Sequence, residues 1–139
     1  MADLIFTSFK DGLGRSVFNL PSDTLKCALV TSAYVPSADH AVLAEVAAAE
    51  ASGAGYAAGG QTLTGLTWSA AGGKAMLRAN DPTWTEATVT ARYALIYVAK
   101  TAGSLTNPLA CLLDFGADRG VTGGTFTVHF DAAGVLTLE

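Results

Sequence analysis

The chain has 139 residues, which suits one domain with a single core and no dependence on metals or disulfides. Apolar residues make up 50% of it and charged residues only 14%, against about 25% in an average soluble domain, so Thr, Ser and Gly carry much of the polar cover. A net charge of −4 with eight scattered Lys and Arg excludes a phosphate-tracking patch, and no apolar run is long enough to span a membrane.

The opening Met1-Ala2-Asp3 lacks the basic and apolar regions of a signal peptide, so synthesis in a cytoplasm is expected. In the segment that follows, Ile5, Phe6 and Phe9 fit one face of a short helix stopped by Gly12; an extended N-terminal arm over residues 1–20 is the alternative. From Thr24 the period changes to two, with Leu25, Cys27 and Leu29 on one face, which predicts a strand that ends before Tyr34-Val35-Pro36. Asp39 is placed to cap a short connecting helix over residues 39–51, with Val42, Leu43 and Val46 as its apolar stripe. The glycine-rich stretch from Gly53 to Gly60 has neither a leading strand nor a Gly-Lys-Ser/Thr ending. It reads as a tightly turned loop, not a phosphate cradle.

Gln61 to Trp68 reads as a strand whose inward parity changes at Thr64-Gly65, which a β-bulge would reconcile. Lys74 to Ala79 alternates and stops at the turn Asn80-Asp81-Pro82. The longest candidate, Ala87 to Ala99, begins with a polar face (Thr88, Thr90, Arg92) and ends with that face apolar (Ile96, Val98), as expected of a central strand entering full burial. Leu109 to Phe115 and Thr125 to Phe130 follow. Asp131-Ala132-Ala133-Gly134 then predicts a type I turn that returns Val135 to Leu138 as a hairpin. Seven or eight strands predict an all-β fold: one antiparallel β-sandwich domain over residues 1–139, of jelly-roll type, with one or two short helices.

Little in this sequence points to catalysis. His40 and His129 have no second ligand at metal spacing, and no nucleophile elbow is present. Most carboxylates sit in turns or at helix ends, and Asp114 with Asp118 supplies too few oxygens for a calcium loop. No enzymatic activity, cofactor or metal is therefore expected. Cys27 and Cys111 each lie at inward parity among leucines, which predicts buried, reduced thiols. Trp68, Tyr93 and Tyr97 sit at inward parity too, whereas Trp84 stands beside a proline turn. Trp84, Phe6 and Phe9 are the candidate protein–protein contacts, with plugging of one open end of the sandwich as the alternative for the two phenylalanines. So apolar a composition predicts surplus apolar surface, hence a homo-oligomer, dimer or trimer.

Several segments together resemble a known family. They are Thr24-Leu25-Lys26-Cys27-Ala28-Leu29-Val30-Thr31-Ser32-Ala33-Tyr34, Ser52-Gly53-Ala54-Gly55-Tyr56-Ala57-Ala58-Gly59-Gly60-Gln61-Thr62-Leu63, Ala91-Arg92-Tyr93-Ala94-Leu95-Ile96-Tyr97, Leu113-Asp114-Phe115-Gly116 and Asp131-Ala132-Ala133-Gly134-Val135-Leu136-Thr137-Leu138. In this order and spacing they resemble small structural proteins of tailed bacteriophages and prophages encoded among head genes. The resemblance implies a capsid decoration, or cement, protein that sits on the outer face of the virion head and joins neighbouring major capsid subunits, with no catalytic residues. A tail, baseplate or fibre-attachment protein is the nearest alternative, and a carbohydrate-binding sandwich a more distant one.

Overall fold

Alternation of apolar residues with Thr, Lys and Arg favours extended backbone, and the computed structural model, which describes residues 3–132 and 134–138, is mostly strand. In chain order the elements are β1 (Leu4–Ile5), α1 (Thr7–Gly14), β2 (Leu25–Val30), 3-10 turns at Leu43–Glu45 and Ala47–Ala49, β3 (Gln61–Thr62), β4 (Thr67–Ala71), β5 (Lys74–Arg78), β6 (Thr83–Val98), β7 (Thr101–Ala102), β8 (Leu105–Thr106), β9 (Leu109–Thr127) and β10 (Leu136–Leu138). One sheet has the order β1-β9-β6-β2-β3, a second has the order β10-β5-β4, and β7 with β8 forms a small hairpin. All pairings between strands are antiparallel. Leu77 and Leu136 of the smaller sheet join the same apolar cluster as Leu29, Leu95 and Leu112 of the larger, so the sheets pack as a sandwich. The predicted sandwich is present; this strand order does not by itself make it a jelly roll.

β6 is central, as its late apolar face predicts. Its second half pairs with β2 from Tyr93 to Val98 and with β9 on the other side. One rung of this sheet runs Leu4, Leu112, Leu95, Ala28; the next runs Ile5, Cys111, Ile96, Cys27, Gln61. Side chains on both faces are buried here, so both parities are apolar.

Four expectations need correction. Leu109 to Phe115 and Thr125 to Phe130 are not separate strands: β9 is continuous from Leu109 to Thr127. Its glycines, at positions 116, 120, 123 and 124, interrupt the apolar pattern without ending the ladder to β6. The hairpin between the last two strands is also absent. Asp131 and Gly134 do form a tight turn, with Ala133 outside the described residues, but β10 pairs with β5.

The short helix over residues 39–51 is reduced to the two 3-10 turns. Glu45 Oε1 accepts the N–H groups of Ala41 (2.8 Å) and Val42 (3.2 Å), while bridges from Val42 to Pro108 and from Glu50 to Val30 hold both ends against extended neighbours. The parity change at Gly65 is likewise no bulge. Gln61–Thr62 pairs with β2 and Thr67–Ala71 with β5, so the chain changes sheet there. Gly65 has φ +65°, and the Asn80 side chain occupies the space a Cβ would need.

The N-terminal segment combines both readings offered for it. Leu4 and Ile5 are extended on the edge of β9, and Thr7–Gly14 is helical. The helix passes Gly12 because that glycine lies within the helical turn, where the Phe18 ring takes the place of a side chain.

Candidate interaction surface

The three expected contact residues are buried within the chain. Phe6 and Phe9 are fully buried, and Phe9 packs on Phe18 with ring centroids 5.0 Å apart. Both belong to the core of the chain and are not on offer as surface contacts. Trp84 is 3% exposed; its ring stacks nearly parallel on Tyr56 at 5.9 Å and meets Phe126 edge-on at 6.3 Å. Pro82 places Trp84 next to a turn, but Trp84 is the second residue of β6 and pairs with Phe126, so it faces inward.

The predicted surplus of apolar surface is not found among the described residues. Among the described residues, Val35 is the large hydrophobic left exposed, at 78%. Ala and Gly supply much of the apolar count without making large patches. Tyr93 and Tyr97 are buried as their parity predicts, whereas Trp68 is half-buried at the margin of the core.

What the fold does present is the outer half of β9, from Asp114 to Thr125, most of it exposed. Tyr93 pairs with Asp114 and Ala91 with Arg119, so four residues, Phe115 to Asp118, oppose the single Arg92. This wide bulge is pinned at its base. The Asp114 carboxylate accepts the Gly116 N–H (2.8 Å) and the Arg92 guanidinium (3.2 Å), and Asp3 accepts the Asp114 N–H (2.7 Å). The Gly116 N–H bond, with Arg92 adding to it, holds the Asp114 carboxyl below its ordinary range. Asp114 is thus engaged in shaping the bulge. Among the described residues no three His, Cys, Asp or Glu side chains come together as a metal cluster would require.

Beside the bulge β9 curls around an open cleft of about 560 Å³. Phe115, Val121 and Phe126 give it an apolar floor, and Arg119 and His129 stand at its margin. His129 Nδ1 lies 3.2 Å from Asp81 Oδ2, and the other Asp81 oxygen accepts the Phe130 N–H at 3.0 Å. Apolar and polar groups lining one cleft suit contact with another protein surface. The sequence hides this cleft, because its pattern assigns Phe115 and Phe126 to different strands and only their union in β9 brings them together. The other histidine, His40, is partnered by the Tyr34 hydroxyl at 2.7 Å. No helix among the described residues is long and apolar enough to cross a membrane.

No protein-family model, curated protein or solved structure matches this chain.

Proposed function

We propose that this chain is a non-enzymatic structural protein of a tailed-phage particle, one that binds the outer face of the assembled head and links neighbouring major capsid subunits. The observation that carries the reading is the outer half of β9, an exposed surface whose bulge is pinned by Asp114 and whose neighbouring cleft combines Phe115, Val121 and Phe126 with Arg119, Thr127 and His129. Its motif order supports the phage setting, and the low charge of 14% supports work done through protein contacts. A decoration protein acts through many repeated contacts of modest strength whose sum resists internal pressure, so no single tight site is needed. A carbohydrate platform is less well supported, since Tyr34, Trp84, Tyr93 and Tyr97 are buried and the described residues show no exposed aromatic row.

The test is image reconstruction of intact particles, paired with binding to purified capsids. The variants Phe115→Ala and Arg119→Glu are expected to weaken capsid binding by about 2 kcal/mol, the scale of an interface hot spot, with Arg119→Glu keeping the wild-type melting temperature and Phe115→Ala lowering it through loss of its contact with Phe126. Density on the tail, baseplate or fibre would replace the head assignment with the alternative one. Unchanged capsid binding by both variants would remove the cleft from the contact.

A further inference from the structure

β2 covers β6 only from Tyr93 to Val98, which leaves the same side of Thr83 to Arg92 without a strand. Along that side lies the segment from Gly53 to Gly60. The Thr88 N–H donates to the Ala54 carbonyl at 2.9 Å. A Cβ on Gly53 would overlap the Thr88 carbonyl, and one on Gly55 would sit 2.8 Å from the Ala87 Cα. Glycine is required at both places because the two backbones touch. The Tyr56 ring covers Trp84.

This strap has almost no core of its own. Ala54, Ala57 and Ala58 are exposed, and Tyr56 is its one large side chain. Polar bonds do the fastening instead. Glu50 Oε2 accepts both the Tyr56 hydroxyl (2.5 Å) and the Gly59 N–H (2.7 Å). The Leu29 N–H donates to the Tyr56 oxygen at 3.0 Å, and the Tyr97 hydroxyl donates to the Gly59 carbonyl at 2.6 Å. Burial, with the Glu50 bond adding to it, pushes the Tyr56 phenol upward, so it remains a donor to the carboxylate. One carboxylate therefore holds two points of the strap.

We propose that the Gly53–Gly60 strap is an openable guard over the free side of β6 and over Trp84, latched by Glu50, and that it opens while the sandwich stays folded. A segment with few apolar contacts and exposed backbone opens at lower free energy than the strands beneath it. Opening uncovers the backbone of Thr85 to Thr88, a row of donors and acceptors of the kind that accepts another strand. Glu50 is a positioning residue in this device and acts through Tyr56 and Gly59.

Amide hydrogen exchange on the full chain tests it, comparing Thr88, whose N–H is bonded to the strap, with Ile96 in the middle of β6. In the wild-type chain Thr88 is expected to exchange faster than Ile96. In Glu50→Ala the Thr88 rate is expected to rise by at least about tenfold, from loss of two charge-assisted bonds, with Ile96 changed by less than about twofold. If Glu50→Ala fails to fold, Tyr56→Phe replaces it: the ring stays on Trp84 while one of the two Glu50 bonds and the acceptor of the Leu29 N–H are lost, and Thr88 is again expected to accelerate more than Ile96. Equal protection of Thr88 and Ile96, or their acceleration together, would show one cooperative unit and overturn the proposal. An unchanged Thr88 rate in the folded variant would overturn it too.

Discussion

Cys27 and Cys111 face the same residue from opposite sides: each pairs with Ile96, so the two thiols stand on one rung with a whole strand between them. Two strand spacings come to about 9.6 Å, beyond the reach of about 7 Å that a disulfide spans. Both thiols are free and fully buried. Burial pushes Cys111 up to about 12 and Cys27 higher still, with the neighbouring Cys111 adding to the effect on Cys27.

Stability should therefore fall on the alkaline side. An unfolded thiol titrates near its ordinary 9.0, whereas both folded thiols keep their protons well above that. The folded state then holds more protons than the unfolded one, so the contribution is fully present below pH 9.0 and declines between there and about 12. The slope is up to about 1.4 kcal/mol per pH unit for each thiol. Urea midpoints of the wild type and Cys111→Ala, measured at neutral pH and near pH ~10, should show the shallower decline in the variant. Equal declines would assign the effect to Tyr34, Tyr56 and Tyr97, which burial also pushes upward.

Lys100 ties the 17–23 segment to the end of β6. Its ammonium donates to the Val17 carbonyl at 2.7 Å and to both Asp23 oxygens at 3.0 Å, and it lies 5.4 Å from the centre of the Phe18 ring. Lys100→Met keeps the aliphatic stem and removes the ammonium from the Val17 carbonyl and the Asp23 carboxylate, whose Oδ2 keeps the Asn19 N–H. A loss of about 2 kcal/mol is expected in chemical denaturation, below the figure for a fully buried pair because the lysine side chain is 31% exposed. A loss under about 0.5 kcal/mol would mean that water replaces the ammonium without penalty.

Two glycines should respond in opposite ways to alanine. Gly60 has φ +76°, and a Cβ there would overlap the Cys27 carbonyl across the β2–β3 pair, so Gly60→Ala should cost at least about 2 kcal/mol. Gly14 ends α1 with open space where its Cβ would go, and Gly14→Ala should stabilise by about 0.5 kcal/mol. Thermal melts of the pair check both signs.

Trp84→Ala should unfold the chain more easily, by about 3–5 kcal/mol, because it empties the space between Tyr56 and Phe126. Denaturant midpoints decide this. A midpoint within experimental error of wild type would mean that the ring is not part of the core.

The strands were legible where one face is polar and the other apolar, as in Lys74 to Arg78, because period two marks a half-buried strand. The inward direction of Cys27, Cys111, Tyr93 and Tyr97 followed from the same pattern. Pairing between distant strands was not legible. Val135 to Leu138 carries the turn and alternation of a hairpin, yet β10 lies beside β5, since alternation says which face is buried and nothing about which neighbour is bonded. Trp84 misled for a local reason: a proline two residues earlier signals a turn, and the core begins immediately after it. The cleft was hidden because glycine reads as a break, whereas in β9 it permits bulges that bend a continuous strand.

The four-for-one opposition of Phe115 to Asp118 and Arg92 also determines where this chain tolerates a change of length. Adding one residue between Cys111 and Leu112 would turn Leu112 and Leu113 to the opposite face and displace Asp114 from its pairing with Tyr93. Adding residues between Gly116 and Ala117 lengthens a loop already outside the ladder, at a closure cost of only about 0.6 kcal/mol per doubling. The pairs Tyr93–Asp114 and Ala91–Arg119 would keep their register. A peptide grafted at that point would be carried on the outside of the sheet by two undisturbed halves of one strand.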